Sequence, residues 1–151
     1  MKRLLAMMLA GAVSVSAGAV DWVDLGMSRD GEIQFFIDLE SLSPSDIRVY
    51  DQASSFSTYN SKPRYYSFFV KFEYIDPHPQ DTKYILSHWQ VDCKDKASFV
   101  DQTNEYDSSF NLLSSDKSEN RGIVSKKLFS YAFPNTVAGE ILKEACNQVS
   151  Y

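Results

Sequence analysis

Tyr65-Tyr66-Ser67-Phe68-Phe69-Val70-Lys71-Phe72-Glu73-Tyr74 is the stretch whose periodicity decides the fold. Tyr66, Phe68, Val70, Phe72 and Tyr74 fall on one parity, while Ser67, Lys71 and Glu73 fall on the other. A strand turns successive side chains to opposite faces, so this spacing predicts a β-strand with one face in a core. Asp76-Pro77-His78-Pro79 then has to be a turn, because proline gives no amide to a ladder and restricts the residue before it.

Outward from that strand the alternation continues. Thr82 to Cys93 puts Ile85, Trp89, Val91 and Cys93 on one parity, which points Cys93 into the core beside the tryptophan. Lys94-Asp95-Lys96 forms a short connection to a further strand from about Ala97 to Tyr106. On the N-terminal side, Val23, Leu25 and Met27 face Ile33, Phe35 and Ile37 across Ser28-Arg29-Asp30-Gly31. A two-residue Asp30-Gly31 loop would waste that apolar face. A three-residue loop from Arg29 to Gly31, with Gly31 at positive φ, pairs Met27 with Ile33, Leu25 with Phe35 and Val23 with Ile37. Ser41-Leu42-Ser43-Pro44 is expected to interrupt, and a third strand to follow around Ile47 and Val49, running as far as Phe56. From residue 108 to 133 the pattern weakens. Phe110, Leu112 and Leu113 suggest a strand fragment, Ser114 to Gly122 is polar enough for a mobile loop, and Leu128 to Phe133 suggests a brief pairing.

After Pro134 the period changes. Asn135 or Thr136 supplies a capping oxygen for a helix reaching about Gln148, and Val137, Ile141, Leu142, Ala145, Cys146 and Val149 make its apolar stripe. Cys146 therefore faces the sheet, as Cys93 faces the helix. An intramolecular bridge between these two cysteines is the favoured reading in an oxidising compartment, with a free thiol or an intermolecular bridge as the alternatives. Neither lies in a Cys-x-x-Cys redox motif.

The N-terminus supplies the compartment. Lys2 and Arg3 precede an apolar run from Leu4 to about Val15, too short to span a bilayer comfortably, and Ala17-Gly18-Ala19 fits a small-x-small cleavage pattern. Residues 1–19 are expected to be a signal peptide and residues 20–151 one exported domain. No cysteine stands near the cleavage site to accept a lipid anchor, and no other apolar stretch is long enough for a transmembrane segment. Losing Lys2 and Arg3 with no anion moves the formal charge from −5 to −7 over the remaining 132 residues. Such an acidic domain repels phosphate backbones, which argues against nucleic-acid binding, and it disfavours anionic membranes unless a local basic patch overrides the net charge.

Chemistry is thinly signalled. His78 sits in the proline-flanked turn and His88 has outward parity, and two histidines do not make a zinc site. The nearby Asp76, Asp81 and Asp92 read as solvated loop or strand-edge carboxylates, and no nucleophile-elbow sequence supports a Ser/His/Asp set. The chain reads as a non-enzyme without metal or cofactor. Trp22 and Phe36 fall opposite the core parity and are the candidate exposed aromatic contacts for a protein ligand, unless a second covered face of the sheet or the long polar loop buries them.

Asp21-Trp22-Val23, Phe36-Ile37-Asp38, Trp89-Gln90-Val91-Asp92-Cys93, and Phe133-Pro134-Asn135-Thr136 leading through Glu140 and Ile141 to Cys146, together give a pattern that resembles the bacterial surface-adhesin protein E family across nearly all of residues 20–151. The resemblance implies an α+β fold of about six antiparallel strands, with the C-terminal helix held on one face by Cys93 and Cys146. It also implies a Gram-negative envelope, attachment to host extracellular-matrix or serum glycoproteins, and associations with haem and with homodimerisation. The best-known family type is a lipoprotein. This chain, lacking the acceptor cysteine, is expected in the periplasm, at the cell surface or outside the cell. Two other classes fit the residues: a periplasmic inhibitor or envelope-assembly partner, and a small-molecule carrier of haem type.

Overall fold

The computed structural model describes residues 20–50, 64–76, 81–119 and 123–149. Its main body is a curled antiparallel sheet of six strands with one C-terminal helix. The strands are β1 (Trp22–Met27), β2 (Ile33–Pro44), β4 (Tyr65–Tyr74), β5 (Tyr84–Asp92), β6 (Ala97–Tyr106) and β7 (Leu112–Lys117), in the order β1-β2-β4-β5-β6-β7. A two-residue strand, β9 (Ser130–Tyr131), pairs with the start of β6. The order is nearly that of the chain, as turns between consecutive antiparallel strands allow.

Parity places the core where the sequence assigned it. Tyr66, Phe68 and Val70 of β4 are buried with Phe35 and Ile37 of β2 and with Trp89, Val91 and Cys93 at the end of β5. The helix α1 (Val137–Asn147) closes this face with Ile141, Leu142 and Ala145, and Val137, Ala138, Cys146 and Val149 pack at its margins. Thr136 caps it: its Oγ1 accepts the Gly139 amide at 3.1 Å and donates to the Phe133 carbonyl at 2.7 Å, satisfying one of the free first-turn donors. Cys93 and Cys146 form the disulfide, with Cα atoms 5.5 Å apart across 53 positions of chain. It ties the last turn of the helix to the end of β5.

Four expectations are corrected. The β1–β2 hairpin holds the expected pairing only from Trp22 to Asp24, where Val23 faces Ile37. A bulge at Leu25 and Gly26 (φ +108) then inserts one residue, so Gly26 faces Phe35, Met27 faces Gln34, and the loop gains a residue while Gly31 keeps its positive φ of +75. Asp24 explains the bulge, because its Oδ1 accepts the Gly26 amide at 2.8 Å and its Oδ2 takes Gln34 Nε2 at 2.7 Å.

Second, β2 continues through Ser41-Leu42-Ser43-Pro44. The half-buried break expected there is absorbed by Asp38, whose Oδ1 accepts the amides of Glu40 and Ser41, and pairing with β4 resumes at Ser43–Ser67 and Pro44–Tyr66.

Third, the strand around Val49 does not join the main sheet, because β2 already occupies that edge of β4. As β3 (Arg48–Tyr50) it pairs in parallel with β8 (Ile123–Ser125). Its continuation to Phe56 lies outside the described residues. The β3–β8 ribbon and the 3₁₀ turn Lys126–Leu128 bury Val124 and Phe129 against Ala97 and Phe99, with Ile47, Val49 and Tyr65 alongside, forming a second core on the face opposite the helix.

Fourth, Ser114 to Lys117 is not loop but most of β7, an edge strand with every residue exposed.

Candidate functional site

The face opposite the helix is divided. The second core covers the Tyr65 and Phe99 end, and beyond it the same parity of β4 presents Phe69 and Lys71. Phe36 of β2 is directly paired with Lys71, and Phe69 is directly paired with His88 of β5. Direct cross-strand pairs bring side chains within contact distance, so these residues meet by register.

Both candidate aromatics lie here. The Lys71 ammonium stands 4.0 Å from the centroid of the Phe36 ring and 5.5 Å from that of Trp22, within cation–π range of each. Neither aromatic is fully exposed; both are half-buried. Glu73 forms ion pairs with the same ammonium at 3.7 Å and with the Lys83 ammonium at 3.6 Å, so two cations share one carboxylate. The result is a rigid aromatic and charged stack across three strands.

Beside it Phe69 is 42% exposed, and its ring centre is 4.8 Å from that of His88. His88 Nδ1 lies 2.6 Å from Asp101 Oδ1, and Gln90 Nε2 donates to Asp101 Oδ2 at 2.8 Å. An ionised carboxylate only accepts, so Nδ1 is the protonated ring nitrogen in that contact. Ser45 Oγ in turn donates to Gln90 Oε1 at 2.6 Å. Asp101 occupies the extra position where the register of β6 shifts against β5. Burial pushes its carboxyl up, but the hydrogen bonds from His88 and Gln90 outweigh that and hold it below the ordinary carboxylate value. His88 is thus positioned by Asp101 as part of a surface network, and among the described residues no group of three or more His, Cys, Asp or Glu side chains is placed to hold a metal ion.

The remaining chemistry candidates separate. His78 lies outside the described residues. Asp76 and Asp81 are exposed, whereas Asp92 corrects the expectation of a solvated carboxylate, being 2% exposed. Its Oδ2 takes Arg64 Nε at 2.9 Å and Nη2 at 2.6 Å, and its Oδ1 accepts the amides of Lys94 and Asp95. The carboxylate therefore shapes the β5–β6 turn next to Cys93. Arg64 Nη2 also reaches Asp95 at 2.5 Å, and Asp95 takes the Lys126 ammonium at 2.8 Å. This cluster is structural: it pins the turn to the segment preceding β4 and to the 3₁₀ turn.

Sequence reasoning singled out Trp22 and Phe36 but missed Phe69, Lys71 and Asp101. Phe69 and Lys71 were recoverable, because they have the same outward parity within the strand that decided the fold. Asp101 was not, since the bulge that aims it at His88 breaks the alternation of β6.

Fold and face together define a disulfide-clamped antiparallel sheet with one helix, bearing an aromatic and charged surface on its other side. Among solved structures, crystal form II of Haemophilus influenzae protein E is similar to this chain, with a TM-score of 0.49 and 16% sequence identity, covering 94% of this chain and 97% of that one. No protein-family model matches the chain, and no curated protein matches it.

Proposed function

We propose that this protein is an exported, non-enzymatic binding module that presents the Trp22–Lys71–Phe36 stack and the adjoining Phe69 to a protein ligand. The observation that carries this reading is the stack itself. Aromatic rings held in place by register and by a cation lose little conformational freedom on binding, and rigid aromatic anchors dominate protein interfaces. Residues 1–19 act as the signal peptide and residues 20–151 form the delivered domain. The Cys93–Cys146 bridge supports delivery to an oxidising compartment, and no helix among the described residues is long and apolar enough to cross a membrane.

The sequence motifs shared with the surface-adhesin protein E family support host extracellular-matrix or serum glycoproteins as the ligand class. The test is retention of the chain from residue 20 onward on immobilised matrix and serum glycoproteins, in parallel with Trp22→Ala and Phe36→Ala. Binding at micromolar concentration that each substitution weakens at least tenfold supports the reading. Failure of every glycoprotein, or binding indifferent to both substitutions, ends it.

A further inference from the structure

Strand β6 changes partner along one edge. Ala97 and Ser98 pair with β9, and β7 takes over from Gln102 onward. Phe99, Val100 and Asp101 fall between the two, where the register against β5 also shifts. The Ser118 amide spans the gap by donating to the Asp101 carbonyl at 2.8 Å. Val100 has no ladder neighbour on that edge among the described residues and is 41% exposed, beside its direct partner Trp89 on the helix side of the sheet. Ala138, in the first turn of α1, and Leu128, on the 3₁₀ turn, approach the same place. With Trp89 and Val100 they wall a hollow of about 440 Å³, a size in the usual range for small-molecule sites.

One wall holds a donor without an acceptor. Trp89 is 7% exposed, and its Nε1 is buried with no hydrogen-bond partner among the described residues. Native proteins leave few such groups unpaired, because a buried donor has given up water and gained nothing in return. The two cross-strand neighbours of the indole differ. Phe68, on β4, is fully buried and stacks with it at 6.5 Å between centroids, whereas Val100, on β6, borders the hollow. The hollow is therefore the side from which an acceptor can approach the indole.

We propose that this hollow binds a small uncharged molecule with an apolar body and one acceptor oxygen, of ketone, ether or ester type, which accepts the Trp89 indole N–H. An indole nitrogen only donates, so its partner must accept. No charged side chain is among the described residues that line the hollow. A carboxylate there would be desolvated without a cation, and an ammonium would bring a second donor. Val100, Leu128 and Ala138 supply apolar contact for the body of the ligand, and the serines at 98, 118 and 130 complete the wall as its polar margin. The hollow lies on the face opposite Phe36 and Lys71, so this reading does not rest on the protein-ligand one.

The test is a nuclear magnetic resonance titration of the oxidised chain from residue 20 onward, with its two tryptophans labelled on the indole nitrogen. The probes are octan-2-one and ethyl benzoate, beside octanoate and octylammonium. The neutral probes should move the Trp89 indole proton downfield in a saturable way, as a newly made hydrogen bond does, while the Trp22 signal on the other face stays in place. Val100→Phe fills the hollow from its exposed side and should abolish the shift. Trp89→Phe keeps an aromatic ring and removes the donor, and calorimetry should show octan-2-one binding roughly tenfold weaker. The melting temperature checks that each variant folds, and Phe36→Ala should leave binding unchanged. No saturable shift with either neutral probe overturns the proposal, as does a shift that survives Val100→Phe. Equal binding by Trp89→Phe, or by octanoate or octylammonium, reduces the hollow to an unselective apolar surface and overturns it likewise.

Discussion

Lys71 and Phe36 are direct cross-strand partners, and the lysine ammonium lies over the phenylalanine ring at 4.0 Å from its centroid. The pair makes an outward-facing aromatic part of the framework of the sheet. Its energy is measurable as a coupling. Phe36→Ala removes half-buried apolar surface and should cost about 1–2 kcal/mol. Lys71→Met keeps the stem and loses the charge, costing about 0.5–1 kcal/mol. In a double-mutant cycle followed by urea unfolding, the two should couple by about 0.5–1 kcal/mol. Strict additivity would mean that the ammonium and the ring merely coincide.

The Cys93–Cys146 bridge closes a loop across 53 positions, and the loop-entropy relation assigns it about 4 kcal/mol. We expect Cys93→Ala with Cys146→Ala to remove stability on that order, read as a fall in the denaturant midpoint. Hydrogen exchange should rise first in α1, since the bridge holds its last turn. Loss of protection spread evenly over β2, β4 and α1 would contradict the role of a local clamp.

Gly139 reverses a general rule. Replacing a helical glycine by alanine ordinarily stabilises by up to about 1 kcal/mol. Here a Cβ on Gly139 would stand 2.3 Å from the Phe133 carbonyl oxygen, the same oxygen that accepts the Thr136 hydroxyl. We therefore expect Gly139→Ala to destabilise, with a lowered melting temperature. Thr136→Ala, which removes the cap without the clash, should cost about 1 kcal/mol.

Acid sensitivity follows from Asp95 and Asp101. Asp95 lies below the ordinary carboxylate value, chiefly through its hydrogen bond from Lys126. Asp101 is also held low, its burial being outweighed by the His88 and Gln90 hydrogen bonds. Each binds its proton less readily folded than unfolded, so each contributes stability that is present above about pH 4, the unfolded value, and is lost as pH falls through the lower folded one. Unfolding free energy should thus decline increasingly below about pH 4. Lys126→Met should lower stability near neutral pH and flatten that acid decline, because Asp95 loses the partner that depresses it. An unchanged acid limb in Lys126→Met would show that Asp95 owes its low value to something else.

The legibility of this chain divides by the kind of physics each feature obeys. Alternation from Tyr65 to Tyr74 and in the Trp89, Val91, Cys93 set, together with the stripe of Ile141, Leu142 and Ala145, follows from periods of two and 3.6, which local chain geometry imposes. The α+β fold, the inward-facing cysteines and the outward parity of Trp22 and Phe36 were therefore readable from residues alone. Edge strand β7 was readable only at its start, where Leu112 and Leu113 suggested a strand fragment: with both faces in water, Ser114 to Lys117 have no reason to alternate. The fate of β3 was not readable, because whether a short strand finds an open edge depends on how far β2 has already run along β4.

What the sequence determined by itself is thus which side of each element is apolar, because burial selects side chains at the period of the backbone. What only the tertiary structure decided is which groups far apart in the chain become neighbours: Lys71 over Phe36, His88 against Asp101, and Arg64 and Lys126 on the carboxylates of the β5–β6 turn. Those meetings depend on register, bulges and strand order, which bring together residues far apart in the chain and leave no local period to read.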